Sequence, residues 1–234
     1  MAIAFDRIII AVPDLPEAAA QYRLLLGAEP HLTAGDRGGS VAWIGLSNTV
    51  IELEEGGVAQ ASIRAIVVRQ GAAEPGYRRV ENPLELDVYC CDGLATGNFR
   101  SREPASQCAD LSVDHLVLRT HDAAACIELF ARNLGIRLAL DQTVPEWGGR
   151  MLFFRAGKLT LEVIESDRDG DKARGSFFWG LAFQCADIAQ TAARLRAGGV
   201  ELSDIRNGRK PGTRVATLKS HDLGIPTLLI EPAT

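Results

Sequence analysis

Hydrophobic positions along this chain alternate between two periods, and the switches between them mark its elements. Residues 5–12 form an Ile-rich apolar run, which reads as a buried strand. Leu15, Ala19, Tyr22 and Leu26 then recur at helical spacing, giving one apolar face. Asp14 stands where a helix cap belongs, Pro16 falls in the first turn and Gly27 stops the helix. Residues 29–33 predict a short strand, followed by a polar loop over 35–39. Residues 40–46 and 49–54 predict a hairpin turning at Ser47-Asn48.

The same order returns further along. Residues 113–118 alternate as a half-buried strand, and Ala123, Ile127, Phe130 and Leu134 line one helical face before Gly135. Residues 150–156 and 158–164 predict the matching hairpin. After a charged connector over 167–175, a strand is expected over 177–184. A helix follows over 187–196, with Ile188, Ala192 and Leu195 on one face, and Gly198-Gly199 stops it. Then come a strand over 200–205, a basic loop over 206–214 and a final hairpin over 213–219 and 226–230. Between the two halves, 62–69 and 84–90 look like strands. The stretch 70–81 contains Gly71, Pro75 and Gly76 and shows no helical face.

Individual residues repeat as well as elements. Asp6 matches Asp114, Asp14 matches Asp122, and Leu26-Gly27 matches Leu134-Gly135 at one offset. After a two-residue insertion, Gly38-Gly39 matches Gly148-Gly149, Glu52 matches Glu162 and Glu55 matches Glu165. This is an internal repeat. The fold class expected is α+β, with four strand–helix–three-strand modules, the second degraded to strands alone.

Composition narrows the setting. The 234 residues carry a net charge of -5, which offers no overall attraction to nucleic acid. Five cysteines, two of them the adjacent Cys90-Cys91, build no regular disulfide framework, so a reducing, cytoplasmic location is expected. No apolar run approaches the ~20 residues of a membrane span. No Gly-rich phosphate loop, serine elbow or Cys-X-X-Cys pair occurs.

The Asp114-His115-Leu116-Val117-Leu118 opening, the helix end Leu134-Gly135 and the strand end Leu161-Glu162-Val163 resemble the vicinal oxygen chelate superfamily. This group is also called the glyoxalase/bleomycin-resistance/extradiol-dioxygenase superfamily. The resemblance implies βαβββ modules paired so that curved sheets enclose a cavity. It implies an N-terminal module pair over 1–92, a linker over 93–110 and a site-bearing C-terminal pair over 111–234. In metal-dependent members each module contributes a first-strand and a last-strand ligand to a divalent ion, such as Zn, Ni, Fe or Mn. His115 and Glu162 fall at those positions. Their counterparts in the fourth module are Gly180 and Leu228, while Glu231 points the wrong way by strand parity. The first module has Arg7 and Glu52, and the second keeps Glu85 with no histidine. The expected metal set is therefore incomplete at His115 and Glu162, with Glu52 or Glu85 as an additional ligand if modules pair unusually. A protein without any cofactor stays equally open. In that case His115 and Glu162 act as an acid/base pair or remain as a hydrogen-bonded relic.

Arg206, Arg209, Lys210 and Arg214 crowd one loop, where they would anchor a carboxylate or phosphate or form a solvated face. Trp147, beside Gly148-Gly149, is the candidate pocket lid. His31, His121 and His221 read as surface residues, and Cys108 as the most exposed thiol. The function expected is a glyoxalase-type lyase or isomerase acting on a small oxygenated anionic substrate. The alternatives are a non-catalytic small-molecule binder of the resistance type and an extradiol-type dioxygenase. The partners expected are a small-molecule ligand and a second copy of the chain, with no nucleic acid or membrane.

Overall fold

The computed structural model describes residues 3–35, 38–70, 77–91, 111–144, 149–165 and 175–233. The first sheet is built from β1 (Ala4–Val12), β2 (His31–Ala34), β3 (Ser40–Gly45), β4 (Val50–Glu55), β5 (Ser62–Arg69), β6 (Tyr77–Arg79) and β7 (Asp87–Cys91). The second holds β8 (Ser112–Thr120), β9 (Arg137–Val144), β10 (Gly149–Ala156), β11 (Leu159–Glu165), β12 (Phe177–Gln184), β13 (Arg206–Asn207), β14 (Arg214–Thr217) and β15 (Thr227–Glu231).

Strand order is β2-β3-β4-β1-β5-β7-β6 in one sheet and β13-β14-β15-β12-β8-β11-β10-β9 in the other. Each sheet joins two consecutive modules through an antiparallel pair of first strands, β1·β5 and β8·β12. Each module's last strand lies parallel to its own first strand, as in β1·β4 and β8·β11. The modules therefore pair first with second and third with fourth.

Among the described residues, three helices sit on the sheets. Helix α1 (Leu15–Leu26) is capped by Asp14, whose Oδ1 accepts the Glu17 N–H at 2.8 Å. Helix α2 opens as an α-helical turn over Ala123–Cys126, capped by Asp122, and continues as a π-helix over Ile127–Asn133. The wider turn buries Leu129 and Phe130 together. Helix α3 (Ile188–Ala197) is capped by Asp187, which accepts the N–H groups of Ala189 and Gln190. These caps satisfy N–H groups that a helix start leaves orphaned. The predicted apolar faces pack onto one core that runs through both halves, with Ala19 and Ile127 only partly buried at its margin.

Reciprocal hydrogen bonds between the Asn48 side chain and the Val113 backbone, at 2.7 and 3.1 Å, tie one sheet to the other. Arg194 donates to the carbonyls of Leu24 and Leu25 at the end of α1, where a cation also meets the negative end of the helix dipole.

Two expected strands differ. Residues 200–205 form no strand; Leu202 makes an isolated bridge to Leu218. The expected strand over 84–90 begins only at Asp87. The Asn82 side chain donates to the carbonyls of Val80 and Leu86 and accepts the Leu86 N–H, closing a turn that contains Glu85 at φ 57°. Among the described residues, no helix is long and apolar enough to cross a membrane.

Candidate functional site

Both central strand pairs carry the same irregularity. In β1·β5 the register skips Asp6 on one strand and Arg64 on the other. In β8·β12 it skips Asp114 and Trp179. Neighbouring strand residues normally point to opposite faces, and a bulge re-aims one of them. Hence the adjacent side chains of Asp114 and His115 meet, with Oδ2 2.8 Å from Nδ1.

The bulges also align the four modules. The residue after each bulge is Arg7, Ala65, His115 or Gly180. Two residues further along each first strand, the facing last-strand residue is Glu52, Tyr89, Glu162 or Leu228, respectively. One concave face therefore presents His115, Glu162, Gly180 and Leu228, and the other presents Arg7, Glu52, Ala65 and Tyr89.

On the second sheet, the His115 and Glu162 side chains are 19% and 16% exposed, with Nε2 and Oε2 3.8 Å apart. Burial works against the charged imidazole. The hydrogen bond that Asp114 accepts and the negative charges of Glu162 and Asp114 outweigh it, and the His115 pKa lies above its ordinary value. Around the pair, Phe153 faces Glu162 across β10·β11 and Leu140 faces Phe153 across β9·β10. Leu140 is 46% and Trp179 37% exposed, so apolar surface stands open on both sides of the histidine. Arg119, four residues beyond His115 on the same face of β8, places its guanidinium 4.6 Å from the centre of the Trp179 ring.

On the first sheet the equivalent concavity is filled by the chain itself. Arg7 donates from Nη1 to Glu52 Oε2 at 3.0 Å, and the Trp43 indole donates to the same oxygen at 2.8 Å. The Arg7 guanidinium lies over the rings of Trp43 and Tyr77 at 5.2 and 5.4 Å. Tyr77 in turn stacks on Tyr89 at 4.8 Å.

A four-ligand metal set does not fit these residues. His115 and Glu162 supply half of one, with Asp114 on Nδ1 in the supporting role that ligating histidines commonly use. The other two positions are Gly180, where an added Cβ would meet the Pro226 carbonyl oxygen at 2.6 Å, and the apolar Leu228. Glu52 and Glu85 do not complete the set, contrary to the possibility left open by the sequence. Glu52 lies in the other sheet and is engaged by Arg7 and Trp43, and Glu85 is exposed in a turn. Among the described residues no group of three or more His, Cys, Asp and Glu side chains is placed to hold an ion.

The basic loop divides. Arg214 is bound bidentately to Glu231 at 2.8 and 2.7 Å, and Glu231 accepts the Ile188 N–H at the start of α3. That N–H, with the Arg214 guanidinium, holds the Glu231 carboxyl below its usual range. Both residues therefore serve the helix side of the sheet. Glu165 does the same for α2 through the Ala123 N–H. Arg206 lies on the edge strand, in register with Val215 and Ile230 on the concave side, and reaches Thr217 Oγ1 at 3.3 Å. Arg209 and Lys210 are exposed. Trp147, Arg37, Cys108 and the expected linker lie outside the described residues. Two surface clefts of about 500 and 550 Å³ are lined instead by residues such as Glu17, Gln21 and Leu223, and Gly39, Glu54 and Arg64. Neither is lined by the His115 face.

The sequence model of the Glyoxalase/Bleomycin resistance protein/Dioxygenase superfamily matches residues 114–217, the stretch that contains His115 and Glu162. Those residues belong to this superfamily.

Solved structures share the architecture. A mutant of 4-hydroxymandelate synthase from Streptomyces coelicolor aligns with a TM-score of 0.74 at 13% identity, covering 100% of this chain and 94% of that one. A xylose isomerase-like TIM barrel/4-hydroxyphenylpyruvate dioxygenase fusion protein aligns at 0.67 and 16% identity, covering 99% of this chain and 50% of that one. Methylmalonyl-CoA epimerase from Mycobacterium tuberculosis aligns at 0.42 and 24% identity, covering 52% and 88%. No curated protein matches the sequence. The first two likenesses bear on the fold alone. Within the superfamily fold, the roles of Asp114, Arg119 and Trp179 went unnoticed in the sequence. Arg119 was accessible there through the i, i+2, i+4 alternation from His115.

Proposed function

We propose that the chain is a lyase- or isomerase-type enzyme that moves a proton on an oxygenated small molecule, using His115 and Glu162 without a metal. The observation that carries this is the His115 geometry. Nδ1 is held by Asp114 at 2.8 Å, and Nε2 is turned toward Glu162 Oε2 at 3.8 Å on an open concave face. Asp114 fixes the ring orientation and favours the imidazolium.

A carbonyl compound carries its acidic C–H and its oxygen on neighbouring carbons, so two polar groups this close can serve both. Glu162 takes the proton from carbon, and the C–H electron pair moves into the new C=C bond. His115 gives its Nε2 proton to the carbonyl oxygen. An enol results, and returning a proton to either face or to another carbon completes an epimerisation or isomerisation. The raised His115 pKa suits a group that must arrive protonated near neutral pH. With Gly180 and Leu228 at the remaining positions, no step depends on a chelated ion.

The test is solvent deuterium exchange at carbon across a panel of 2-oxo acids, 2-hydroxy ketones and 3-oxo acids, with and without chelator. Exchange that is indifferent to chelator and falls about 100-fold or more in His115→Gln and Glu162→Gln supports the proposal. Saturable binding with no exchange in any compound would replace it with a binding protein of the resistance type. The one-sided polarity of the concavity, with Gly180 and Leu228 opposite the acid/base pair, favours that as second reading.

A further inference from the structure

Two arginines stand on the open concave face beside the acid/base pair. We infer that Arg155, with Arg137 at its side and Thr160 between it and His115, is a specificity-determining anchor for the anionic group of the substrate. This rests on the reading that the reacting carbonyl lies at His115 and Glu162.

Strand register places these groups. Thr160 on β11 pairs with His115 on β8, and Arg155 on β10 pairs with Thr160. Arg137 on β9 pairs in turn with Arg155. His115, Thr160, Arg155 and Arg137 thus form one row across adjacent strands, and directly paired residues share a face. At one strand spacing per step, the Cα atoms of His115 and Arg155 lie roughly 10 Å apart.

Both arginines are exposed and Thr160 is half-buried. Among the described residues, neither arginine forms an ion pair. Glu162 lies diagonally from Arg155, yet turns Oε2 toward His115 at 3.8 Å. Like charges directly opposite each other on neighbouring strands repel. On the same two strands, Arg150 is balanced by Asp141, which it binds bidentately at 2.9 and 2.8 Å. The Arg155–Arg137 pair has no such partner among the described residues, and an anionic ligand would relieve its repulsion.

The internal repeat supplies a comparison. In the first sheet the equivalent row is Arg7, Val50 and Gly45, and there the chain itself fills the concavity. The open half carries a hydroxyl and a cation at the places where the closed half has valine and glycine.

Guanidinium groups recognise a carboxylate or a phosphate through paired N–H donors, and Thr160 adds a hydroxyl donor. Because Thr160 alone separates His115 from Arg155 in the row, the anion belongs within a few bonds of the reacting carbonyl. The substrate class is therefore a short oxo acid or oxo phosphate. It is held on the β9–β10 side of His115 and not by the basic loop over 206–214.

The experiment measures binding to the full chain at low ionic strength by ligand-observed NMR. Two matched pairs are used: 4-oxopentanoate with 4-oxopentanamide, and dihydroxyacetone phosphate with dihydroxyacetone. Expected is binding of at least one anion about tenfold or more tighter than its neutral partner. Arg155→Met should abolish that preference and Arg137→Met should reduce it. Both side chains are exposed, so neither change threatens folding. Lys219→Met, an equal loss of charge in the fourth module, should leave the preference intact. The carboxylate and phosphate arms decide which anion is taken. The inference is overturned by equal affinity within both pairs, by a preference that survives Arg155→Met, or by one that falls as far in Lys219→Met. Absence of binding by either anion at millimolar concentration overturns it too. His115→Gln separates the two readings, since it should stop solvent exchange while the anion preference remains. Exchange that persists in His115→Gln, with the preference lost only in Arg155→Met, would count against the acid/base mechanism and leave the anchor standing.

Discussion

Replacing Arg7 tests whether the first concavity is closed by a charge pair. The Arg7 side chain is fully buried and that of Glu52 is 5% exposed, with 3.0 Å between Nη1 and Oε2. Arg7→Met keeps the apolar bulk between Trp43 and Tyr77 but leaves the Glu52 carboxylate buried without its cation. Removing one partner of a buried pair costs about 3–5 kcal/mol. The Trp43 indole still donates to Glu52 at 2.8 Å, which places the expected loss at the lower end, near 3 kcal/mol. Adding Glu52→Gln removes the stranded charge while keeping an acceptor for the indole. The double variant should therefore recover about 1–2 kcal/mol, the scale of a satisfied hydrogen bond against an unsatisfied one. Urea unfolding, monitored by tryptophan fluorescence and far-UV circular dichroism together, measures both values. A loss below about 1 kcal/mol for Arg7→Met, or a double variant no more stable than the single one, would refute the buried-pair account. It would also reopen the first sheet as a binding surface.

Two further outcomes follow from the same geometry. The His115 resonances should titrate above the ordinary histidine value of about 6.5, and Asp114→Asn should move that midpoint down. Because the folded pKa is raised, the stability this contact supplies is complete below about pH 6.5 and is lost as pH rises through the higher folded value. Unfolding of His115→Gln should lack that component of the pH dependence. Gly180→Ala should destabilise the chain by about 1–3 kcal/mol through overpacking, since its Cβ would press on the Pro226 carbonyl oxygen at 2.6 Å. Unchanged urea unfolding in that variant would mean that the β12·β15 contact yields easily, and that a side chain is admissible at the His115-equivalent position.

The two halves show how one module plan reaches different ends. At the first-strand position, an arginine in one sheet reaches its own Glu52 and shuts the space. A shorter histidine in the other stops 3.8 Å from Glu162 and leaves the face open. Side-chain length at a single repeat position thus separates a closed ion pair from a histidine and a carboxylate that do not touch.

Local chemistry made much of this legible from the sequence. Strand alternation and helical spacing depend only on neighbouring residues, so the module order, the Asp14 cap, most of the core faces and the equivalence of His115 with Gly180 could be read directly. So could the orientation of Glu231, which parity turned away from the site and which the structure finds at the start of α3. Leu84, Leu86, Val88 and Cys90 alternate as a strand does, and all are buried. Yet the Asn82 side chain folds the first of them into a turn, which carried Glu85 off the sheet. Tertiary structure alone decided which modules share a sheet, because strand pairing joins residues far apart in the chain. It also decided where the pairs bulge, because a register skip exists only between two strands. That skip brings Asp114 to His115 and Trp179 to Arg119, and no periodicity within one strand can announce it.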